Sequence, residues 1–261
     1  YRDPKKAGKL YSDKVHLICQ KLSKLGRKPA AFISESILGC GGHVPLPDEF
    51  LKKSYRHIRK HGGLCIADEI QVGFGRTGKH MWAFDSQGVV PDIVTLGKPM
   101  GNGHPLGAVI TTKAIAETFA NGMEYFNTFG GSQVSSAVGM AVLDVIEKEK
   151  LMQNSFENGR LLKRNLEELK KTFPLIGDVR GEGYFLGLEL VLDQETKEPA
   201  PLHAKYVVER MKSLRILLST EGPGHNVIKF KPPMVFNQKD LQKFTVELEN
   251  ILGETPLQIN H

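Results

Sequence analysis

An α/β fold, with a mainly parallel sheet in the first part of the chain and a compact α+β unit after it, is what this sequence predicts. Three observations carry that expectation. As far as Thr111, short apolar runs alternate with helical or turn-rich segments, the pattern of strands joined by crossovers. From Ser132 to Lys171 a helical pattern runs without a proline, long enough to bridge two domains. Beyond Pro174, strand and helix signals follow one another at short range. A boundary near residue 150 divides the chain into a first domain, 1–150, and a C-terminal domain, 151–261.

Each element has its own signal. Val15, Ile18, Leu22 and Leu25 recur at helical spacing, predicting a helix over Asp13–Leu25 with Ser12 as its cap. Pro29–Ser34 reads as a buried strand ending at Glu35, and a second helix runs from Pro47 to His61, stopped by Gly62-Gly63. Strands follow at Leu64–Asp68, Asp92–Leu96 and Gly107–Thr111. In the second part the pattern predicts a strand over Tyr184–Leu192 and a helix over Ala204–Leu214. Strands at Ile216–Leu218 and Val227–Phe230 and a last helix over Lys239–Leu252 complete it.

Composition narrows the function class. Of 261 residues, 40% are hydrophobic and 25% charged, an ordinary globular balance. The net charge of +6 is spread over helical faces, as at Lys21, Lys24, Lys52, Lys53, Lys170 and Lys171. Scattered charge of this kind marks solvated faces rather than a nucleic-acid surface. No run approaches the roughly 18 apolar residues of a membrane span. Cys19, Cys40 and Cys65 are few and far apart, which predicts reduced thiols of an intracellular protein. The chain opens on Tyr1-Arg2-Asp3-Pro4, neither an initiator methionine nor a signal peptide, in what reads as a loop.

The chemistry concentrates at two strand ends. Asp68 closes the run Leu64-Cys65-Ile66-Ala67, and Lys98 follows the run Ile93-Val94-Thr95-Leu96-Gly97. In open α/β sheets ligands bind outside the carboxyl ends of the strands, so both groups are expected in one crevice. A solvated ion pair is the simplest alternative, contributing about 1 kcal/mol at most. A lysine amine and an acid so placed also suit pyridoxal phosphate: the amine condenses with its aldehyde, and the acid keeps its pyridine nitrogen protonated.

The strings around those residues favour the second reading. ADEIQVGFGRTGK, then PDIVTLGKPMGNGHPLGAV, then EYFNTFGGSQVSSAVGMAVL closely resemble the class III (ω-amino) aminotransferases, pyridoxal-phosphate enzymes of the aspartate-aminotransferase fold, known as fold type I. The resemblance runs from Lys28 to Leu252. It implies that Lys98 carries the cofactor, that Asp68 pairs with the pyridine nitrogen, that Gln71 meets the ring hydroxyl and that Ile70 packs on a ring face. Asp68 and Ile70 are expected on one face by the alternation of extended residues. Thr128 matches a threonine that binds the cofactor phosphate of the neighbouring subunit. That implies a homo-oligomer with shared active sites, a dimer or a tetramer of dimers. Family members carry a Gly/Ser/Thr-rich phosphate turn upstream, so this chain reads as N-terminally truncated; the resemblance implies mitochondria, with the cytoplasm as the alternative.

Two departures bear on substrate. Many members carry an arginine for the substrate carboxylate in a string like IRFxPP, where this chain has Lys229 in Val227-Ile228-Lys229-Phe230-Lys231-Pro232-Pro233. Several pair that arginine with a second glutamate in a string like EPxxGE, where Glu35-Ser36-Ile37-Leu38-Gly39-Cys40 places Cys40. An ammonium cannot copy the two-pronged guanidinium fork. Together these features resemble the ethanolamine-phosphate and 5-phosphohydroxylysine phospho-lyases, which implies a small phosphorylated amine as substrate, with Lys229, Cys40 and Glu35 at its site. An alanine–glyoxylate type ω-aminotransferase is the alternative, and an inactive fragment that associates with a full-length partner is another. Gly73–Gly78 also fits GxGxxG, but no helical pattern opens within it. His57 and His61 stand four apart without an accompanying acid or cysteine, a solvated basic face rather than a metal site.

Overall fold

The computed structural model describes residues 3–254; Tyr1 and Arg2 of the opening string lie outside them. In chain order the elements begin with α1 (Pro4–Lys24), β1 (Ala31–Glu35), β2 (Ile37–Leu38), β3 (Val44–Pro45) and α2 (Phe50–Lys60). Next come β4 (Leu64–Asp68), β5 (Ile93–Leu96), β6 (Ala108–Thr111), α3 (Lys113–Phe119) and α4 (Gln133–Lys148). The remainder are α5 (Leu151–Thr172), β7 (Ile176–Glu182), β8 (Phe185–Leu190), α6 (Pro201–Ser213), β9 (Ser219–Glu221), β10 (Val227–Phe230) and α7 (Gln238–Leu252). The chain forms two compact units. One takes the residues up to Ser36, Leu46–Phe74 and Trp82–Glu149; the other takes Ile37–Pro45, Gly75–Met81 and the chain from Lys150 onward.

In the first unit the sheet order is β1-β4-β5-β6. The first three strands are parallel, but β6 runs antiparallel to β5. A parallel return needs a crossover of a dozen or more residues, usually helical. Here the connection holds only a short 3-10 turn over Lys98–Met100 and tight turns around Gly101 and Gly103, which reverse the chain. Helix α2 buries Leu51, Tyr55 and Ile58, spaced four and three apart, beside Cys19 of α1 and Cys65 of β4. Each large apolar side chain so buried stabilises the unit by about 1.5–3 kcal/mol. Helix α1 starts at Pro4, well before the expected Asp13 and in place of the expected loop. Ser12 is therefore no cap: it sits inside the helix with its hydroxyl donating to the Lys9 carbonyl at 2.9 Å. None of the three cysteines is in a disulfide, and burial pushes the Cys65 thiol up to about 12, leaving it inert.

In the second unit the order is β7-β8-β10-β9, antiparallel throughout. Leu162, Leu166, Leu186, Leu188, Ile228 and Leu248 form its centre. Strand β7 carries Gly177, Asp178, Arg180 and Gly181, which hide its alternation; hairpin pairing with β8 makes it a strand. Strand β9 begins at Ser219 rather than Ile216. The reason is the end of α6, where Ile216 N–H donates to Met211 O at 2.9 Å and Arg215 takes φ 64°, so Ile216 belongs to the helix terminus. The helical stretch expected from Ser132 to Lys171 is made of two helices, parted where Lys150 adopts φ 53°.

Candidate active site

Strand β4 stops at Asp68 because the side chain turns back on the backbone: Oδ1 accepts from Ile70 N–H at 3.0 Å, an Asx turn. The strict alternation that would set Asp68 and Ile70 on one face therefore ends at Asp68. Ile70 sits in the turn instead, its Cγ2 3.6 Å from where a Cβ on Gly97 would stand. Strand register pairs Asp68 with Thr95 on β5 and with Glu35 on β1. Lys98 follows three residues after Thr95. It is exposed and held at φ 40°, a left-handed conformation that stores strain for a side chain with a Cβ. Gln71 is half-buried in the same turn as Ile70. Thr128 is exposed, in a turn tied by Asn127 Oδ1, which accepts from Phe129 N–H at 3.1 Å and Gly130 N–H at 3.0 Å.

Among the described residues neither Asp68 nor Lys98 enters an ion pair, so they do not form the solvated pair of the simplest alternative. An unpaired lysine amine, a half-buried carboxylate with no cation of its own and an aliphatic side chain beside Gly97 suit the aldehyde, ring nitrogen and ring face of pyridoxal phosphate. The Thr95 hydroxyl, on the strand position paired with Asp68, is buried without a partner. It adds an unsatisfied polar atom beside that carboxylate.

Glu69 is the residue that sequence reasoning missed. It is fully buried, and burial raises its carboxyl pKa against three donors: Ser36 Oγ at 2.5 Å, Ala83 N–H at 2.7 Å and Phe84 N–H at 3.0 Å. Its own N–H donates to Thr95 O, and its carbonyl accepts from Gly73 N–H, both at 3.0 Å. The turn that presents Asp68, Ile70 and Gln71 is thus pinned from inside. The signal was a second acid within an otherwise apolar and glycine-rich string, and a serine where the related strings have proline. Ser36→Ala is expected to cost about 2 kcal/mol and Glu69→Ala about 3 kcal/mol or more, since the latter strands two buried backbone donors. Urea unfolding of each variant measures both.

In the second unit Lys229 and Cys40 meet the same corner. Lys229 Nζ donates to Glu221 Oε1 at 2.5 Å, and Cys40 O accepts from Gly222 N–H at 3.1 Å. Lys229 therefore has an acid partner, supplied by β9 rather than by the position of Cys40. Glu35 belongs to the first unit, on the strand end beside Asp68. Arg76 is held by Nη1 donating to Pro232 O at 2.6 Å, with burial lowering its pKa to about 10. No helix opens within Gly73–Gly78, whose residues form successive turns, so the dinucleotide reading loses its structural context. His57 is not simply solvated: its ring stacks on His16 at 4.5 Å, and His61 lies 6.0 Å from His16. Among the described residues no group of three His, Cys, Asp or Glu is arranged for a metal ion.

The model of the class-III aminotransferases matches residues 4–252. The chain belongs to that family. It has the fold type I architecture, and pyridoxal 5'-phosphate is the family's cofactor. A Drosophila melanogaster protein named alanine–glyoxylate aminotransferase 2-like is 49% identical over 247 residues, 94% of this chain and 50% of that protein. A Caenorhabditis elegans protein named ethanolamine-phosphate phospho-lyase homolog 1 is 41% identical over 249 residues, 94% of this chain and 53% of that one. A phospholyase from Arthrobacter, solved in complex with phosphoethanolamine, superposes with a TM-score of 0.91 at 35% identity, covering 96% of this chain and 60% of that one. The chain thus spans about half the length of the curated relatives it matches.

Proposed function

We propose that this chain is part of a pyridoxal-phosphate phospho-lyase acting on a small phosphorylated amine, ethanolamine phosphate or 5-phosphohydroxylysine. The observation that carries the reading is the cation at the head of the KFKPP string. Lys229, half-buried and braced by Glu221, stands where related transaminases place the carboxylate-binding arginine. The likeness to a phospholyase solved with phosphoethanolamine supports it.

In this reading Lys98 tethers the cofactor through its amine and, once freed, takes the proton from the amine-bearing carbon of the substrate. Asp68 holds a proton at the pyridine nitrogen, Gln71 meets the ring hydroxyl, Ile70 packs on a ring face and Thr128 serves the cofactor phosphate of a second copy. The cofactor supplies an electron-withdrawing ring. Phosphate leaves from the adjacent carbon with the electron pair of its C–O bond. The net reaction consumes one water and yields an aldehyde, ammonia and phosphate. A homo-oligomer with shared sites and a mitochondrial setting belong to the same proposal.

Transamination of the alanine–glyoxylate type is the second reading, favoured by the 49% identity to the Drosophila protein of that name. The two separate by product. Incubated with O-phosphoethanolamine or 5-phosphohydroxylysine and no keto acid, the holoenzyme is expected to release phosphate and ammonia in equal amounts. Pyruvate from alanine and glyoxylate, with no phosphate from either phospho-amine, would establish the transaminase instead.

A further inference from the structure

The turn that carries Lys98 is fastened to a distant part of the first unit. From Gly97 to His104 the chain is a run of consecutive turns. Met100 N–H donates to Gly97 O at 3.0 Å, Gly101 N–H to Lys98 O at 3.3 Å, and His104 N–H to Gly101 O at 2.9 Å. Gly101 lets the run close, since a Cβ there would stand 1.9 Å from His104 O. Two side chains then hold the run against one face of α4. His104 Nε2 lies 2.9 Å from Ser135 Oγ, a hydrogen bond in which either the ring or the hydroxyl can donate. Four residues further along the same helix face, Gly139 is buried, and a Cβ on it would stand 3.0 Å from Leu106 Cδ2. Ser135 also belongs to the first turn of α4, where its N–H donates to Oγ of the cap Ser132 at 3.4 Å. Only Gly131 separates that cap from the Asn127–Gly130 turn that presents Thr128. The whole connection lies within the first unit.

We infer that His104 and Leu106 are positioning residues that strap the Lys98 turn to helix α4, so that Lys98 and Thr128 of one chain are ordered together and cofactor uptake at one site of the oligomer raises the affinity of the next. This goes beyond the roles proposed above for Lys98 and Thr128 and rests on them. Lys98 serves its own chain's site and Thr128 the site of a second copy, so the strap joins two sites. Binding that orders one turn leaves less conformational entropy to be lost at the other. The coupling is reciprocal, as linkage requires.

Amide hydrogen exchange tests the strap in the full chain without cofactor. His104→Ala is expected to speed exchange about fivefold at Gly101 and also at Phe129 and Gly130, as loss of one hydrogen bond does to a local opening. Cys65 and Ile66 of β4, in the same unit, are the reference, because a general loss of stability would speed them equally. Ser135→Ala should reproduce the pattern, and the double variant should add nothing to it. His104→Gln, which returns a donor and an acceptor to similar reach, should restore most of the protection. The holoenzyme, stripped of cofactor and titrated with pyridoxal phosphate by absorbance, reads the coupling. The second site of a pair is expected to fill about fivefold more tightly than the first, and His104→Ala to remove the difference. Unchanged exchange at Phe129 and Gly130 in both single variants, acceleration no greater than that of Cys65 and Ile66, or independent filling of the parent's sites overturns the inference. Coupled exchange in a protein whose Lys98 takes up no cofactor keeps the strap and removes the cofactor reading. Cofactor on Lys98 with Phe129 and Gly130 indifferent to His104 does the reverse.

Discussion

Lys98→Ala is expected to lower turnover by about 10³-fold or more, because one side chain serves as both covalent anchor and base. In the native holoenzyme, borohydride should fix the cofactor on the peptide containing Lys98, and peptide mapping reads the result. A label on Lys113, or none after reduction, defeats the assignment. The backbone supplies a second readout. Lys98 holds φ 40°, where an L side chain costs about 1–2 kcal/mol relative to glycine. Alanine keeps that strain and glycine relieves it. Lys98→Gly should therefore be about 1 kcal/mol more stable than Lys98→Ala while equally inactive. Equal stabilities of the two variants in urea would show that the position is unstrained.

Acidification from pH 7 to pH 5 is expected to remove about 2 kcal/mol of stability through His43 alone. The ring is fully buried against Phe185, with centroids 4.2 Å apart, and neither ring nitrogen has a partner. Burial, and then the charges of Lys231, Lys229 and Arg180, hold its pKa down from 6.5 to about 3. In the folded protein the imidazole stays neutral, while the unfolded chain takes up a proton below 6.5. The contribution to stability is therefore complete above pH 6.5 and is lost as pH falls toward 3, at about 1.4 kcal/mol per unit. His43→Gln should flatten that dependence. Denaturant midpoints at pH 7 and pH 5 decide it: equal losses in parent and variant mean that other groups carry the acid sensitivity.

The local parts of this protein were readable because local rules produce them. Strand β4 ends at Asp68 as its apolar run does, and β10 spans Val227–Phe230 as its alternation predicts. Helix α7 begins one residue before its expected start, set by a capping box between Asn237 and Asp240. Reading failed where distant pairing overrode local pattern. Strand β7 is glycine-broken and exists through its hairpin partner, β6 runs antiparallel because its connection lacks a crossover helix, and β9 starts late because Ile216 closes a helix.

The candidate site divides in the same way. By itself the sequence determined the family, through motifs whose residues are neighbours in the chain, and singled out Asp68 and Lys98 as the candidates. Only the tertiary structure decided which partners the buried and charged groups find within each unit. Glu69 finds its donors at Ser36, Ala83 and Phe84, and Lys229 finds its acid at Glu221 rather than at the position of Cys40. His43 is buried over the gap left by Gly187. A motif records which groups lie a few bonds apart. Burial and charge pairing depend on groups that meet only when strands far apart in the chain are laid side by side.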